Sequence, residues 1–158
     1  MAPGQARLSS SPKDRVRRRA VEALLKGWAN RWNRHDADGL AALVAQDVDF
    51  VTVAGRWLQG RSDFREWHSS IHRAHLRDSL WTNRGHRLRL LRDDLLLVHL
   101  EWTIANERVV GQGQRERSGI FTWLVAPGDE AWCILAAHNT NLAEASRHCL
   151  SGPVERCH

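Results

Sequence analysis

Tyrosine is absent from this 158-residue chain, methionine occurs once and cysteine only three times. Without tyrosine, no phenol can act as a general acid or an oxyanion donor. Cys133, Cys149 and Cys157 are odd in number and include no C-x-x-C pair. That spacing excludes a disulfide framework and a zinc knuckle, leaving an incidental Cys149–Cys157 bridge under oxidation as the pairing it suggests. No apolar run approaches the ~18 residues of a membrane span. The first residues, Met1 to Leu8, lack the apolar core of a secretory signal, so a soluble, cytoplasmic protein with no membrane partner is expected. Nucleophile-elbow, phosphate-loop and paired-carboxylate motifs are missing as well.

Lysine is scarce too: arginine outnumbers it 21 to 2, and the net charge of +5 is unevenly placed. Residues 1–19 hold six cations, Arg7, Lys13, Arg15, Arg17, Arg18 and Arg19, against the single anion Asp14. The other 139 residues balance at 17 cations and 17 anions. A nucleic-acid-binding body carries a basic stripe of its own, and this one has no net excess. A nucleic-acid partner is therefore not expected, and the basic segment reads as a solvated approach to the first helix.

What is present is enough for one domain with a proper core: 42% apolar and 26% charged residues, ordinary globular values. Pro3, Gly4 and the run Ser9 to Pro12 mark residues 1–14 as a disordered basic lead-in. From Arg15 to Trp32 the positions Val21, Leu24, Leu25, Trp28 and Trp32 recur at helical spacing. Asp36 caps a second short helix, Ala37 to Ala45. Phe50–Val53 and Arg56–Leu58 read as short strands around Gly55, and a third helix as residues 62–75. Strands at 84–91, 95–105, 116–125 and 132–140 follow, then a short tail over 142–158. Helices first and a run of antiparallel strands afterwards is an α+β pattern. It suggests a curled sheet wrapped round the long first helix as a cone-shaped domain over 15–141, with an internal pocket.

Residues Trp32 to Leu43, then Asp47, Phe50, Val51, Gly55, Trp57, Gly60 and Arg61, and finally Trp132 to Thr140, resemble in order and spacing the nuclear transport factor 2-like superfamily. The pattern is most similar to its SgcJ/EcaC type, near the SnoaL-like cyclases and steroid isomerases. The resemblance spans about residues 20–141. It implies a cone-shaped barrel, commonly a homodimer, with a ligand pocket inside the curl, and it implies a place in natural-product metabolism. It does not imply one reaction, because the fold hosts isomerases, cyclases, dehydratases and non-catalytic domains. The places where steroid isomerases carry their base and phenol fall here on Thr52 and Trp28, which cannot do that chemistry. The oxidoreductase label sometimes attached to the SgcJ/EcaC type has no support either. Gly111 and Gly113 sit in a polar hairpin, not at the opening of a helix, so no dinucleotide cofactor is expected.

The titratable residues on inward faces then decide the chemistry. His68 sits on the apolar face of the third helix with Phe64, Trp67, Ile71 and Ala74. His75 lies at the edge of that face and His72 further out. His68 and His72 have the i, i+4 spacing of a metal pair, but a third ligand is missing, so no metal is expected. A histidine desolvated on such a face stays neutral and suits a general base; a core imidazole bonded to a carbonyl is the alternative. On the strand 95–105, Leu96, Val98, Leu100, Trp102 and Ile104 form one apolar face. Glu101 on the other face is a candidate cross-strand partner of Arg117. Arg117 or Asn139 would stabilise an oxyanion. Alternation allows only one of His138 and Asn139 into the pocket. Trp28, Trp32, Phe50, Trp57, Trp67 and Trp102 are candidates for a wall that stacks on a small apolar or aromatic ligand. Two classes compete: a cofactor-independent isomerase, cyclase or dehydratase with His68, Arg117 and Glu101 as catalytic groups, and a non-catalytic binding or association protein.

Overall fold

The computed structural model describes residues 8–143. The first helix, α1 (Pro12–Asn33), opens with Ser11 as its cap, accepting from the Asp14 amide at 3.2 Å, and with Pro12 in the first turn. Proline suits that position because its missing N–H has no partner there anyway. The helix thus starts three residues before Arg15, and Leu8, expected in the lead-in, is 7% exposed against the core. Arg17 is not solvated: it is buried, pairs with Asp14 at 2.6 Å and donates to the Asp93 carbonyl at 2.7 Å. The Cys149–Cys157 pairing, Arg7 and the tail beyond residue 143 lie outside the described residues.

Asp36 accepts from the Gly39 amide at 2.8 Å and opens α2 (Ala37–Ala41), which stops four residues short of the expected Ala45. Residues 44 onward are strand instead. The Ile134 amide donates to the Leu43 carbonyl at 2.9 Å, and Val44 pairs with Ile134. Pairing with the last strand overrides the helical leaning of a short alanine-rich run. After β1 (Val44–Val51) come β2 (Trp57–Gln59) and α3 (Gly60–Arg73), which begins at a glycine with φ of +86°. The long strands are β3 (Leu80–Arg92), β4 (Leu95–Val109), β5 (Gly113–Pro127) and β6 (Trp132–Asn141). Each of the first three outruns the range expected for it, because the added residues pair through the backbone whatever their side chains.

The six strands make one sheet in the order β2-β1-β6-β5-β4-β3. Its last four members are an antiparallel meander, and β1 joins β6 in parallel. The sheet is curled and unclosed, and α1 lies along its inner side. Trp28 is wholly buried there, with the rings of Phe64, His68, Trp81, Phe121 and Trp123 at centroid distances of 5.2–6.1 Å. Asn33 clamps the helix end to β3, accepting from the Trp81 amide at 2.6 Å and donating to its carbonyl at 3.1 Å.

Two bulges reset which side chains face inward. On β4, Ala105 and Asn106 together oppose the single residue Glu116, and Asn106 takes φ of +62°, a left-handed angle that asparagine tolerates. Ile104 and Glu107 both turn inward as a result. On β6, Leu135 is the extra residue between Ile134 and Ala136. Ile134 and Ala137 are therefore both buried, although strict alternation puts them on opposite faces.

Gly119 on β5 lies under the Trp102 ring, and a Cβ there would overlap that ring and the Thr140 carbonyl. Gly119→Ala should therefore destabilise the fold by about 1–3 kcal/mol, read as a lower midpoint in urea. An unchanged midpoint would show that the ring has room to move.

Candidate functional site

Between α3 and the inner faces of β1, β4, β5 and β6 lies a cavity of about 310 Å³. One side is apolar, formed by Trp32, Phe50, Trp67, Ile71, Leu76 and Phe121. The other is polar: Glu107, Arg115, Arg117, Asn139 and Asn141, with His75 beside Glu107. His68 also lines the cavity, and it is 2% exposed.

The His68 ring has a defined orientation. Its Nδ1 lies 2.8 Å from the Phe64 carbonyl, one turn back along α3. A carbonyl only accepts, so Nδ1 carries the proton and Nε2 keeps its lone pair. No hydrogen bond engages Nε2 among the described residues. Burial pushes the pKa of His68 down to about 4, and the Phe64 bond opposes this only in part. The imidazole is thus neutral throughout the physiological range, with one basic nitrogen.

The polar side is organised by Glu107. Its Oε2 accepts from Arg115 Nε and from Arg117 Nε, each at 2.8 Å. Its Oε1 is 4.0 Å from His75 Nε2. Burial alone would raise the Glu107 carboxyl, but the two guanidiniums outweigh it and hold the group below its ordinary range. Arg117 also donates from Nη1 to Asn141 at 2.8 Å, and its guanidinium carbon stands 5.2 Å from the centre of the Trp102 ring. Asn139 accepts at Oδ1 from Trp102 Nε1 at 2.9 Å. An indole N–H can only donate, so this bond fixes the amide and turns out an Asn139 NH₂ group that has no acceptor among the described residues.

The sequence-derived candidates separate clearly. The structure brings His68, Arg117, Asn139, Trp32, Phe50 and Trp67 to the cavity. Trp28 is buried in the core behind it, and Trp102 acts through Asn139 and Arg117. Trp57 is 59% exposed, its indole N–H on Asp49 at 2.8 Å, because β2 is the edge strand. Glu101 points to the outer face, opposite Ile120 and Gly85, and does not meet Arg117, which pairs instead with Glu107 beyond the bulge. His138 is exposed on the outer face, and the Leu135 bulge leaves Asn139 facing in.

Sequence reasoning missed Glu107, Arg115 and Asn141, since the strands were ended before Glu107 and Asn141 and begun after Arg115. The asparagine in Ala105-Asn106-Glu107 is the signal that could have marked the bulge. His72 is also misplaced by helical periodicity: it is buried, not outward. It packs at 4.6 Å from Trp32 and 5.1 Å from His35, with neither ring nitrogen bonded. Among the described residues, no three His, Cys, Asp or Glu side chains converge as a metal-binding set.

The SnoaL-like domain family matches residues 25–132. Among solved structures, the chain is similar to an uncharacterized protein with a cystatin-like fold from Caulobacter vibrioides. The two are 17% identical with a TM-score of 0.75, over 84% of this chain and 94% of that one. A provisionally assigned scytalone dehydratase from Novosphingobium aromaticivorans gives 14% identity and 0.74, over 83% and 87%. Hexachlorocyclohexane dehydrochlorinase LinA-type3 from Novosphingobium barchaimii gives 16% and 0.71, over 84% and 94%. At such identities these likenesses speak to the fold. No curated protein matches the chain.

Burial, followed by the fields of His68, His35 and His75, pushes the pKa of His72 down to about 3. For His68 and His72 the folded value lies below the unfolded value of about 6.5. Unfolded chains therefore bind more protons as pH falls, and the stability these two residues leave intact above pH ~6.5 drains away down to about pH 4 and 3. Each group costs up to about 1.4 kcal/mol per pH unit in that window. Urea midpoints should fall steeply from pH 6.5 to 4.5, and His72→Phe should remove about half of the slope. A wild-type midpoint that is flat over this window would contradict the burial of both rings.

Proposed function

The chain belongs to the SnoaL-like domain family, and we propose that its cavity performs cofactor-independent acid/base chemistry, as an isomerase, cyclase or dehydratase, on a small apolar or aromatic molecule. The observation that carries this is the open Nε2 of a neutral His68 on the apolar side of a cavity whose other side presents the Asn139 NH₂ group and Arg117. A planar ligand stacks between Trp32, Trp67 and Phe121, with its oxygen toward Asn139 and Arg117. Nε2 takes a proton from carbon and the electron pair moves to that oxygen, whose charge the two donors stabilise. Returned to another carbon, the proton completes an isomerisation. If the enolate carbon instead attacks a second carbonyl of the ligand, a C–C bond closes the ring and the proton goes to the new alkoxide. Passed to a hydroxyl that leaves as its C–O bond breaks, the proton completes a dehydration.

A base with pKa about 4 is fully available at neutral pH but weak. It suits a C–H bond already acidified by a neighbouring carbonyl. Transfer also creates an imidazolium–oxyanion pair, which repays part of the cost of charging a buried ring. The solved relatives support this direction, since the scytalone dehydratase and dehydrochlorinase assignments both name eliminations. Resemblance to natural-product cyclases makes a polyketide-like substrate the reading for the ligand's class. The binding-only alternative draws on the absence of a carboxylate partner for His68 among the described residues, Glu107 being taken by two arginines. On the outer face, Leu97, Leu124 and Ala136 stand side by side across β4, β5 and β6, half-buried. They suit the homodimer that the superfamily resemblance implies, with sedimentation equilibrium as its test.

A substrate-independent probe tests the base. In 5-nitrobenzisoxazole, removal of the ring C–H breaks the N–O bond and releases a coloured phenolate, the same proton and charge movements. The protein should accelerate this opening saturably, above an equal concentration of free imidazole, with an acid limb near pH 4. His68→Ala should lower the rate about 10²–10⁴-fold. Undiminished turnover in that variant, or none in the parent, would remove His68 from the chemistry and leave the binding-only reading.

A further inference from the structure

We propose that the ligand of this cavity carries, besides the carbonyl whose oxygen faces Asn139, a carboxylate held by Arg115 and Arg117, so that the substrate is an aryl or polyenyl keto acid and not a neutral ketone. The inference rests on the reading of the cavity as a small-molecule site and narrows its substrate class. Its first ground is a charge imbalance. Among the described residues, two guanidiniums line the cavity and only one carboxylate, Glu107, does so. Both arginines spend their Nε on the same oxygen, Glu107 Oε2, at 2.8 Å each. One anion cannot neutralise two cations, and the excess of one positive charge fits a monoanion. Arg115, Arg117 and Phe121 share the inner face of β5, so the excess charge and the ring wall belong to one strand face.

The second ground is the donor geometry. Arg117 is pinned by Glu107, Asn141 and the Trp102 ring, and its Nη2 has no acceptor among the described residues. The Arg115 Nη atoms have none there either, while the Asn139 NH₂ group, turned by the Trp102 bond to its amide oxygen, is left to the reacting carbonyl. A carboxylate accepts at both oxygens and matches paired N–H donors from guanidinium, whereas a lone carbonyl uses only part of this set. Arg117 has 13% of its side chain exposed, so its bond to an anion is shielded from water; Arg115, at 53%, contributes more through its field than through desolvated contact.

The test compares 2-naphthoate with 2-naphthamide, which share the ring system and differ in charge, by titration calorimetry at pH 7. The acid should bind at least about tenfold more tightly, and the preference should weaken as salt rises. Arg117→Met should bring the two affinities within about threefold of each other. Arg115→Gln, a change at a half-exposed side chain, should lower the preference in part and keeps the test readable if the first variant does not fold. Glu107→Gln should tighten the acid by freeing both arginines. Equal affinities in the parent protein, no measurable binding of naphthoate, or a preference that survives both arginine changes would each overturn the proposal. Its failure is separable from failure of the acid/base reading: benzisoxazole opening lost in His68→Ala with no acid preference leaves the base intact without the anchor. Acid preference retained with opening unaffected by His68→Ala leaves the anchor without the base.

Discussion

The indole of Trp28, sealed inside the curled sheet, is the constraint on which the rest of this structure depends. It presents one ring to α3 through Phe64 and His68 and to β5 through Phe121 and Trp123. A buried tryptophan of this kind is worth about 3–5 kcal/mol against truncation. That helps to offset the hydrogen-bonding deficit it creates, since the Trp28 and Trp123 indole nitrogens are buried without partners among the described residues. The first helix and its tryptophan fill one part of the space inside the curl. The cavity is what remains between α3 and the strands, with Trp32 and Phe50 among its lining.

The apolar half of this arrangement was legible in the sequence. Val21, Leu24, Leu25, Trp28 and Trp32 mark the inward stripe of α1, and the even positions from Leu96 to Ile104 mark the inner face of β4; all are buried. The polar half was not, because it depends on two irregularities that break the period of two. The Asn106 bulge brings in Glu107 two residues past the end of the apolar alternation, and the Leu135 bulge settles Asn139 inward and His138 outward. Glu101 was chosen from the regular part of the strand and therefore lies on the wrong face. His72 was misjudged for a related reason. α3 ends at Arg73, so the buried side of its last turn is decided by contact with Trp32 and His35 rather than by the stripe set by Phe64 and Ile71.

In the proposed reaction the two halves of the cavity divide the chemistry between them. On the apolar side, desolvation keeps His68 neutral and the Phe64 carbonyl sets its tautomer. On the polar side, a network of arginine, glutamate and asparagine is already held in place, so donors need little reorganisation as charge develops. The same desolvation makes the imidazole a weak base and, with the unpartnered His72, makes the fold sensitive to acid. Such local costs are characteristic of sites organised for something other than stability.

The account stands on the state of one ring, and nitrogen-15 NMR of the His68 imidazole reads that state directly. At pH 7 the ring should be neutral, protonated at Nδ1 and bare at Nε2, and it should not titrate until the pH approaches about 4. A ring protonated at Nε2, or one that titrates near the ordinary histidine value of about 6.5, would contradict it.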